Sequence, residues 1–410
     1  MNILTGYHAT KTSLENRLEE SAPSRGQILT GPRQVGKTSI LLDIARHWGD
    51  SAIYLAADAP EAALPGWWEI QWRRAVELAR VRKAVLLLDE IQYLPNWSRL
   101  LKSAIDQVYR EQLAIHIVAT GSAALELGSG ARETMAGRYE RLAIRQWTAR
   151  DLAQAFSLSQ DEAVDCFVRF GSFPGGMRLL SDVPRWRAYL RDSIVDPAVG
   201  RDLMMLESIR KPALLRQVFA VCTGYPSEIM SLAKIAGSIT DAGTLETIAH
   251  YLSLLEEAYL VSASRKFSGR EVRKRASSPK LVPLNNAFLA ASRTDDPPTA
   301  QSSPTLWGRW VENACLGFAI GCEQAVGYWR EEPLEVDAII DGSWGKWAVE
   351  IKTGEYSSRD LTGLLEFHRR RPEYRPVVLC DARYLDTATR IGIDAIGWDA
   401  FLWDGFAALI

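Results

Sequence analysis

Residues 27–39 read Gln-Ile-Leu-Thr-Gly-Pro-Arg-Gln-Val-Gly-Lys-Thr-Ser. Gly31, Gly36, Lys37 and Thr38 satisfy G-x-x-x-x-G-K-[ST], the P-loop pattern. A polyphosphate carries several negative charges and needs many donors close together. Two glycines let the backbone curl so that successive N–H groups converge on the phosphates. Lys37 adds a positive charge that reaches the β- and γ-phosphates, and the Thr38 hydroxyl is a ligand for Mg²⁺. Gly31, Pro32, Arg33, Gln34, Val35, Gly36, Lys37, Thr38 and Ser39 are therefore the residues expected to wrap the polyphosphate. Ile28-Leu29 reads as the end of a buried strand. Ser39–His47 reads as an amphipathic helix with Ile40, Leu41 and Ile44 inward. Strand, glycine loop and helix are the context the motif requires, since a helix N-terminus favours an anion.

Working outward, Lys11–Glu20 reads as one polar helix and Ser51–Ala57 as a second strand. Gly66–Lys83 has helical periodicity, with Trp68, Trp72, Val76 and Ala79 near one face. Ala84–Glu90 is Ala-Val-Leu-Leu-Leu-Asp-Glu. Such an apolar run suits a central parallel strand covered on both faces. Its two acids fall at the carboxyl end, where ligands bind in open α/β sheets. Asp89 is expected to hold Mg²⁺ and Glu90 to activate the attacking water. The adjacent Glu is what points to hydrolysis rather than binding alone. Ile115–Ser122 is another buried strand. Thr120 or Ser122 contacts the γ-phosphate or the water, or simply caps the strand end. Arg138 pairs with phosphate as an arginine finger does, or forms a surface salt bridge.

The stretches LTGPRQVGKT, LLLDEIQYLPNW, ATGS and AGRYERL, in this order, resemble a prokaryotic family of AAA+ ATPases. The resemblance covers residues 11–150 and continues more loosely, through Gly171–Gly176, to the end of the sequence. It implies ATP and Mg²⁺ as cofactors, a helical lid after the core, and a C-terminal domain of long-unknown function. Trans-acting arginines in such relatives imply a homo-oligomer.

The bulk composition excludes several classes. At 410 residues, the chain is long enough for two to four domains. A net charge of −2 provides no global field for DNA, so any nucleic-acid contact must come from local patches. Five scattered cysteines, with no C-x-x-C, read as reduced buried thiols. No stretch approaches the length of a membrane span, and residues 1–26 hold no long apolar run. A cytoplasmic protein is the expectation.

Residues 213–290 read as a winged helix, with helices at 213–222, 227–239 and 243–257 and wing strands at 259–266 and 280–284. The segment 265–280 between the strands holds seven basic residues and one acid. It contacts DNA phosphates while the third helix enters the major groove, or it is a solvated loop on a protein-contact module. Residues 291–304 (ASRTDDPPTAQSSP) read as a linker. Gly171–Gly176 reads as a turn.

Residues 305–410 restart a periodic pattern: a helix at 306–320 carrying Glu312, strands at 326–330, 335–340, 347–352 and 376–380, and a helix near 358–371. Asp337 lies on one strand. Glu350 and Lys352 lie on the next and share a face, because side chains alternate with period two. Two carboxylates suit a hard divalent cation, and a neighbouring lysine stabilises charge on a phosphodiester. Glu312, Glu335/Asp337 and Glu350-x-Lys352 together resemble the PD-(D/E)-x-K nucleases, although the Pro that usually precedes the first acid is missing. The resemblance gives Asp337, Glu350, Lys352 and Glu312 as catalytic candidates, with a second divalent metal on Asp337 and Glu350. The bland reading is a salt-bridged strand pair. His368-Arg369-Arg370-Arg371 meets a phosphate backbone or is a solvated helix end.

The expected architecture is thus α/β and multi-domain: a P-loop AAA+ parallel-sheet core (1–150), a helical lid (151–212), a winged helix (213–290), a linker (291–304) and a restriction-endonuclease-like α/β domain (305–410). The expected function is an Mg²⁺-dependent ATPase acting on DNA, with metal-dependent cleavage by the last domain. The alternative is a nucleotide-gated switch whose last domain is degenerate and binds a protein partner.

Overall fold

The computed structural model describes residues 6–121, 135–203, 209, 211–241, 243–268 and 277–409. Ser122 and the basic residues Arg270, Arg273, Lys274 and Arg275 lie outside the described residues. The chain forms two compact units: residues 7–145 with 202–208, and residues 1–6, 146–201 and 209–410. Among the described residues, no helix is long and apolar enough to cross a membrane.

The first unit is built on five parallel strands: β1 (Gly26–Thr30), β2 (Ala52–Ala56), β3 (Ala84–Asp89), β4 (Ile115–Gly121) and β5 (Tyr139–Ala143), in the order β2-β3-β4-β1-β5. Every residue of β1, β3 and β4 is buried, as their apolar runs require. The expected strand over 51–57 is β2. Strand β5 has no counterpart in the sequence reading, because Tyr-Glu-Arg-Leu-Ala has no apolar run and its residues are only partly covered. Around the sheet lie α1 (Tyr7–Glu19), α2 (Lys37–Trp48), α3 (Trp67–Val81) and α4 (Trp97–Glu111). Ile40, Leu41 and Ile44 of α2 are buried as their spacing predicts. On α3 the buried residues are Ala75, Val76 and Ala79, while Trp68 and Trp72 stack on each other at 6.0 Å against the core.

One core residue gives this unit a pH dependence. His116 of β4 is 2% exposed, with Nδ1 2.7 Å from the Ser24 hydroxyl. Burial, with the charge of Lys83 adding, pushes its pKa down from 6.5 to about 4. The folded state thus holds the ring neutral. The resulting stability is fully present above pH 6.5 and is lost as pH falls toward 4. Linkage gives a loss of about 2 kcal/mol between about pH 7.5 and 5. Urea denaturation at the two pH values should show this loss in wild type and a flatter profile in His116→Gln.

The second unit opens with α5 (Ala149–Phe156) and α6 (Gln160–Phe170), each started by a capping box, Thr148 with Asp151 and Ser159 with Glu162. At 171–176, only the first part is a turn, with Gly171 at φ +72°. There a side chain would collide with Asn285 Oδ1. Pro174–Met177 forms one helical turn instead of continuing the turn, since Pro at the first helical position is pre-set for it. Helix α7 (Val183–Leu190) follows. Its Arg187 donates to the backbone oxygens of Ala290, Thr294 and Asp295 at 3.2, 3.2 and 2.8 Å. The segment read as a linker is therefore tied to a helix of its own unit, and Pro297 and Pro298 are buried.

Next come α8 (Pro212–Gly224), α9 (Leu232–Gly237), α10 (Leu245–Glu257) and the antiparallel pair β6 (Val261–Ser264) and β7 (Lys280–Pro283). Residues 227–230 differ from the expected helix. Ser227 closes a turn at φ +59° and 228–230 run beside β7, with Ser227 N–H donating to Leu281 O, Leu281 N–H to Glu228 O and Met230 N–H to Pro279 O, at 2.7, 3.0 and 2.9 Å. The helix starts only at the Ser231 cap.

After α11 (Ala287–Ala291) and α12 (Pro304–Gly321) come β8 (Ala325–Glu331), β9 (Leu334–Gly342), β10 (Gly345–Lys352), α13 (Thr362–Arg370), β11 (Arg375–Cys380), β12 (Asp394–Gly397) and α14 (Trp398–Asp404). The sheet order is β12-β11-β10-β9-β8, antiparallel across β8-β9-β10 and parallel across β10-β11-β12. Residues 265–267 extend this sheet beyond β8. Tyr328 N–H donates to Arg265 O at 3.2 Å and Phe267 N–H to Tyr328 O at 2.6 Å. The Phe267 ring packs edge-on against Phe367 and Tyr374.

Candidate active site

Parallel strands bring their carboxyl ends to one edge, and here the register aligns three of them. Thr30 of β1 pairs with Gly121 of β4, and Leu88 of β3 pairs with Ala119. The loop after β1, the acids after β3 and the end of β4 therefore meet at one crevice, the place where open α/β sheets bind ligands. Gly36, at φ +98° and ψ 17°, is the N-cap of α2, and no side chain caps that helix. A side chain on Gly36 would lie 2.8 Å from the Tyr7 ring, and one on Gly31 would lie 2.3 Å from Ile144 O. Both glycines are thus required by close packing as well as by the loop's curl. Lys37 is 5% exposed, and its ammonium donates to Gly31 O and Pro32 O at 3.0 Å each. An enclosed ammonium at an uncapped helix start fits a nucleotide polyphosphate. With the phosphates, Mg²⁺ would supply charge neutralisation, with Thr38 and Asp89 as the residues placed to hold it.

Asp89 is 3% exposed. Its Oδ2 accepts from the Tyr54 hydroxyl at 2.9 Å and its Oδ1 from the Thr120 hydroxyl. Burial first, then the bond to Asp89, holds the Tyr54 phenol above its ordinary range, so it stays a donor. Thr120 Oγ1 in turn accepts from the backbone N–H of Glu90 at 3.1 Å. Glu90 has φ +50°, an uncommon conformation for a non-glycine, and its carboxylate is bonded by the Gln92 amide. Of the two readings offered for Thr120, neither is the full description. Its hydroxyl braces the acid pair, fixing the Asp89 carboxylate and the backbone turn that aims Glu90. Tyr54 is the residue sequence reasoning missed, because nothing in an isolated strand marks which tyrosine will face an acid 35 positions away.

Arg138 forms the alternative offered for it. Its Nε donates to Asp106 Oδ1 at 2.7 Å, and its backbone oxygen accepts from Gly26 N–H.

In the second unit, Glu312, Glu335, Asp337, Glu350 and Lys352 do converge, joined by Lys280, the last residue of the basic segment for which the sequence leaves DNA contact and a solvated loop open. Lys280 is 2% exposed, and its ammonium lies 2.8 Å from Glu312 Oε1, 3.0 Å from Asp337 O, 3.8 Å from Asp337 Oδ1 and 3.9 Å from Glu335 Oε1. Burial opposes its charge, but Glu312 and Asp337 outweigh that and hold its pKa above the usual lysine range. Asp337 Oδ2 accepts from Ile351 N–H at 2.9 Å. Glu350 Oε1 accepts from Lys352 Nζ at 2.8 Å, so residues 350 and 352 share a face as the strand period predicts. Glu350 is 7% exposed and its Oε2 has no partner. Burial, with the charge of Asp337 adding, pushes its carboxyl up to about 8. This arrangement does not fit a second divalent metal: an ammonium stands among the carboxylates, and among the described residues no group of three acids, His or Cys is placed to hold one. On α13, His368 Nδ1 bonds Tyr374 O, while Arg369 and Arg370 are taken up by Glu366, so that basic run is internally paired.

Comparison with known proteins agrees with the first unit's geometry. Residues 24–153 match the family model described as "AAA domain", and residues 161–298 match a "Domain of unknown function (DUF8612)". An uncharacterized protein of Mycobacterium tuberculosis (Rv2008c) is 26% identical over 345 residues, spanning 79% of this chain and 69% of that protein. The ATPase family gene 2 protein homolog B of Bos taurus is 39% identical over 74 residues, 17% of this chain and 10% of that one. Among solved structures, AMPPCP-bound DnaA from Aquifex aeolicus aligns at TM-score 0.32 and 16% identity, covering 60% of this chain and 86% of that one. The DNA complex of Aeropyrum pernix ORC1 aligns at TM-score 0.32 and 17% identity, covering 72% and 94%. The segment 24–153, which matches the AAA domain model, is thus the one that carries the parallel sheet, the glycine loop and the acid pair.

Proposed function

We propose that the chain is an Mg²⁺-dependent ATPase whose nucleotide cycle acts on DNA through residues 213–290. The observation that carries the ATPase reading is the brace linking Thr120 to Asp89 and Glu90 across the edge from the Lys37 loop. Lys37 binds the phosphates, Asp89 and Thr38 hold the metal, and Glu90 takes the proton of the attacking water. The order helix, extended stretch, two helices and a strand pair supports a winged helix over 213–290, with residues 151–212 as the lid.

A specific observation favours a second reading of the partner. Helix α10, the one that would enter a major groove, carries Glu246, Glu256 and Glu257 and no Lys or Arg. Lys280 is buried in carboxylates and unavailable to phosphate. A nucleotide-gated switch that contacts a protein through this face is therefore the alternative. The C-terminal acids lie on β9 and β10 as the nuclease resemblance implies, but with Lys280 among them no cleavage step is proposed.

ATPase rate and duplex-DNA affinity, each measured against salt, decide between the two. DNA should raise the rate, and neutralising Arg265, Lys266, Arg270, Arg273, Lys274 and Arg275 should weaken binding and flatten the salt slope. Unchanged affinity and slope would leave the protein partner as the reading.

A further inference from the structure

The ATPase reading gives no task to the buried Lys280. We propose that Lys280 is an internal cation plug: its ammonium stands among Glu312, Glu335 and Asp337 in place of a divalent metal, and keeps the acid cluster closed. The inference deepens the non-cleaving reading of the C-terminal sheet.

The position is a cation's by its surroundings. One ammonium is shared by carboxylates from α12 and β9, at 2.8 Å from Glu312 and 3.8 Å from Asp337. A lysine is enclosed this fully only when opposite charge and directed acceptors replace its water. Asp337 supplies both, through Oδ1 and through its backbone oxygen at 3.0 Å.

The plug comes from a different part of the unit than the acids. Strand β7 lies between β6 and residues 228–230, and residues 265–267 pair with β8. Lys280 is thus presented to the C-terminal sheet by a neighbouring sheet that is hydrogen-bonded on both sides. An ion from solution would have to compete with a tethered charge already in place.

The acids keep unused capacity. Glu350 Oε2 is buried with no partner, while Lys352 occupies only Oε1. Removing the Lys280 ammonium leaves Glu312, Glu335 and Asp337 short of positive charge. As placed they form no metal site, so an ion would have to draw their side chains together, as Mg²⁺ and Mn²⁺ do with oxygen ligands.

The test uses the full chain without nucleotide and Mn²⁺ alone as the probe, titrated by electron paramagnetic resonance. Wild type and Asp337→Asn should bind the same number of ions. Lys280→Ala should bind one more, at least about ten-fold tighter than any site in wild type, and Lys280→Ala with Asp337→Asn should lose it. An Asp337-dependent Mn²⁺ site in wild type overturns the proposal. So does a folded Lys280→Ala protein that takes up no additional ion. Lys280→Gln, which keeps most of the side-chain volume, replaces the alanine variant if that one fails to fold. Should neither fold, the wild type decides: an Asp337-dependent site overturns the plug, and equality with Asp337→Asn supports it. The readout involves no ATP and no cleavage, so its failure is distinguishable from failure of the ATPase reading.

Discussion

Lys37→Ala is expected to weaken ATP binding by at least about 100-fold and to bring hydrolysis to background. The ammonium is enclosed by the loop and held on Gly31 O and Pro32 O. It is therefore positioned before ligand arrives and loses little side-chain freedom on binding. Charged hydrogen bonds to phosphate are worth about 1.5–3 kcal/mol each, so losing two exceeds the 2.8 kcal/mol or so that corresponds to 100-fold. The measurement is fluorescence titration with a labelled nucleotide, paired with thermal melting. In wild type, saturating ATP should raise the melting temperature by several degrees, since ligand at about 100 times its Kd adds about 2.7 kcal/mol. In Lys37→Ala that shift should vanish while the ligand-free melting temperature stays within a few degrees. Retained nucleotide binding in a folded variant would remove the loop from the site.

Glu90→Gln is expected to separate binding from hydrolysis. The amide has nearly the volume of the carboxylate but takes no proton from water. A general base contributes about 10²–10⁴-fold, so kcat should fall by that factor with Kd for ATP within about three-fold of wild type. Equal hydrolysis by the two proteins would sink the assigned role. Thr120→Val belongs to the same experiment. It removes the hydroxyl that bonds Asp89 and accepts from Glu90 N–H. Both acids remain but lose their brace, so its kcat should fall between those of wild type and Glu90→Gln. Were Thr120 only a strand cap, kcat would not move.

Much of the first unit was legible because its signals are local. The P-loop pattern fits in eight residues, and the runs at 84–88 and 115–119 need burial on both faces wherever they lie. Helix α2 follows from the spacing of Ile40, Leu41 and Ile44. The second unit was readable in part: the segment read as a linker is tied to Arg187, and Pro174–Met177 forms a helical turn. The strands carrying Asp337 and Glu350-x-Lys352 were placed by alternation, and their ordered acids did converge. Strand β5 escaped because an edge strand with partly covered faces needs no apolar run. Residues 227–230 escaped because their path is set by hydrogen bonds to β7 and the residue before it, about 50 positions away.

What the sequence determined by itself is the phosphate loop, the acid pair and the strand-and-helix order around them, since each rests on residues adjacent in the chain. What only the tertiary structure decided is how distant side chains use one another. Tyr54 and Thr120 become supports of Asp89 across 35 and 31 positions, and Lys280 turns from a surface base into the buried partner of Glu312 across 32. Nothing local distinguishes such a lysine from a solvated one. Its role follows from the low-dielectric interior, where an ammonium persists only beside the carboxylates that compensate it.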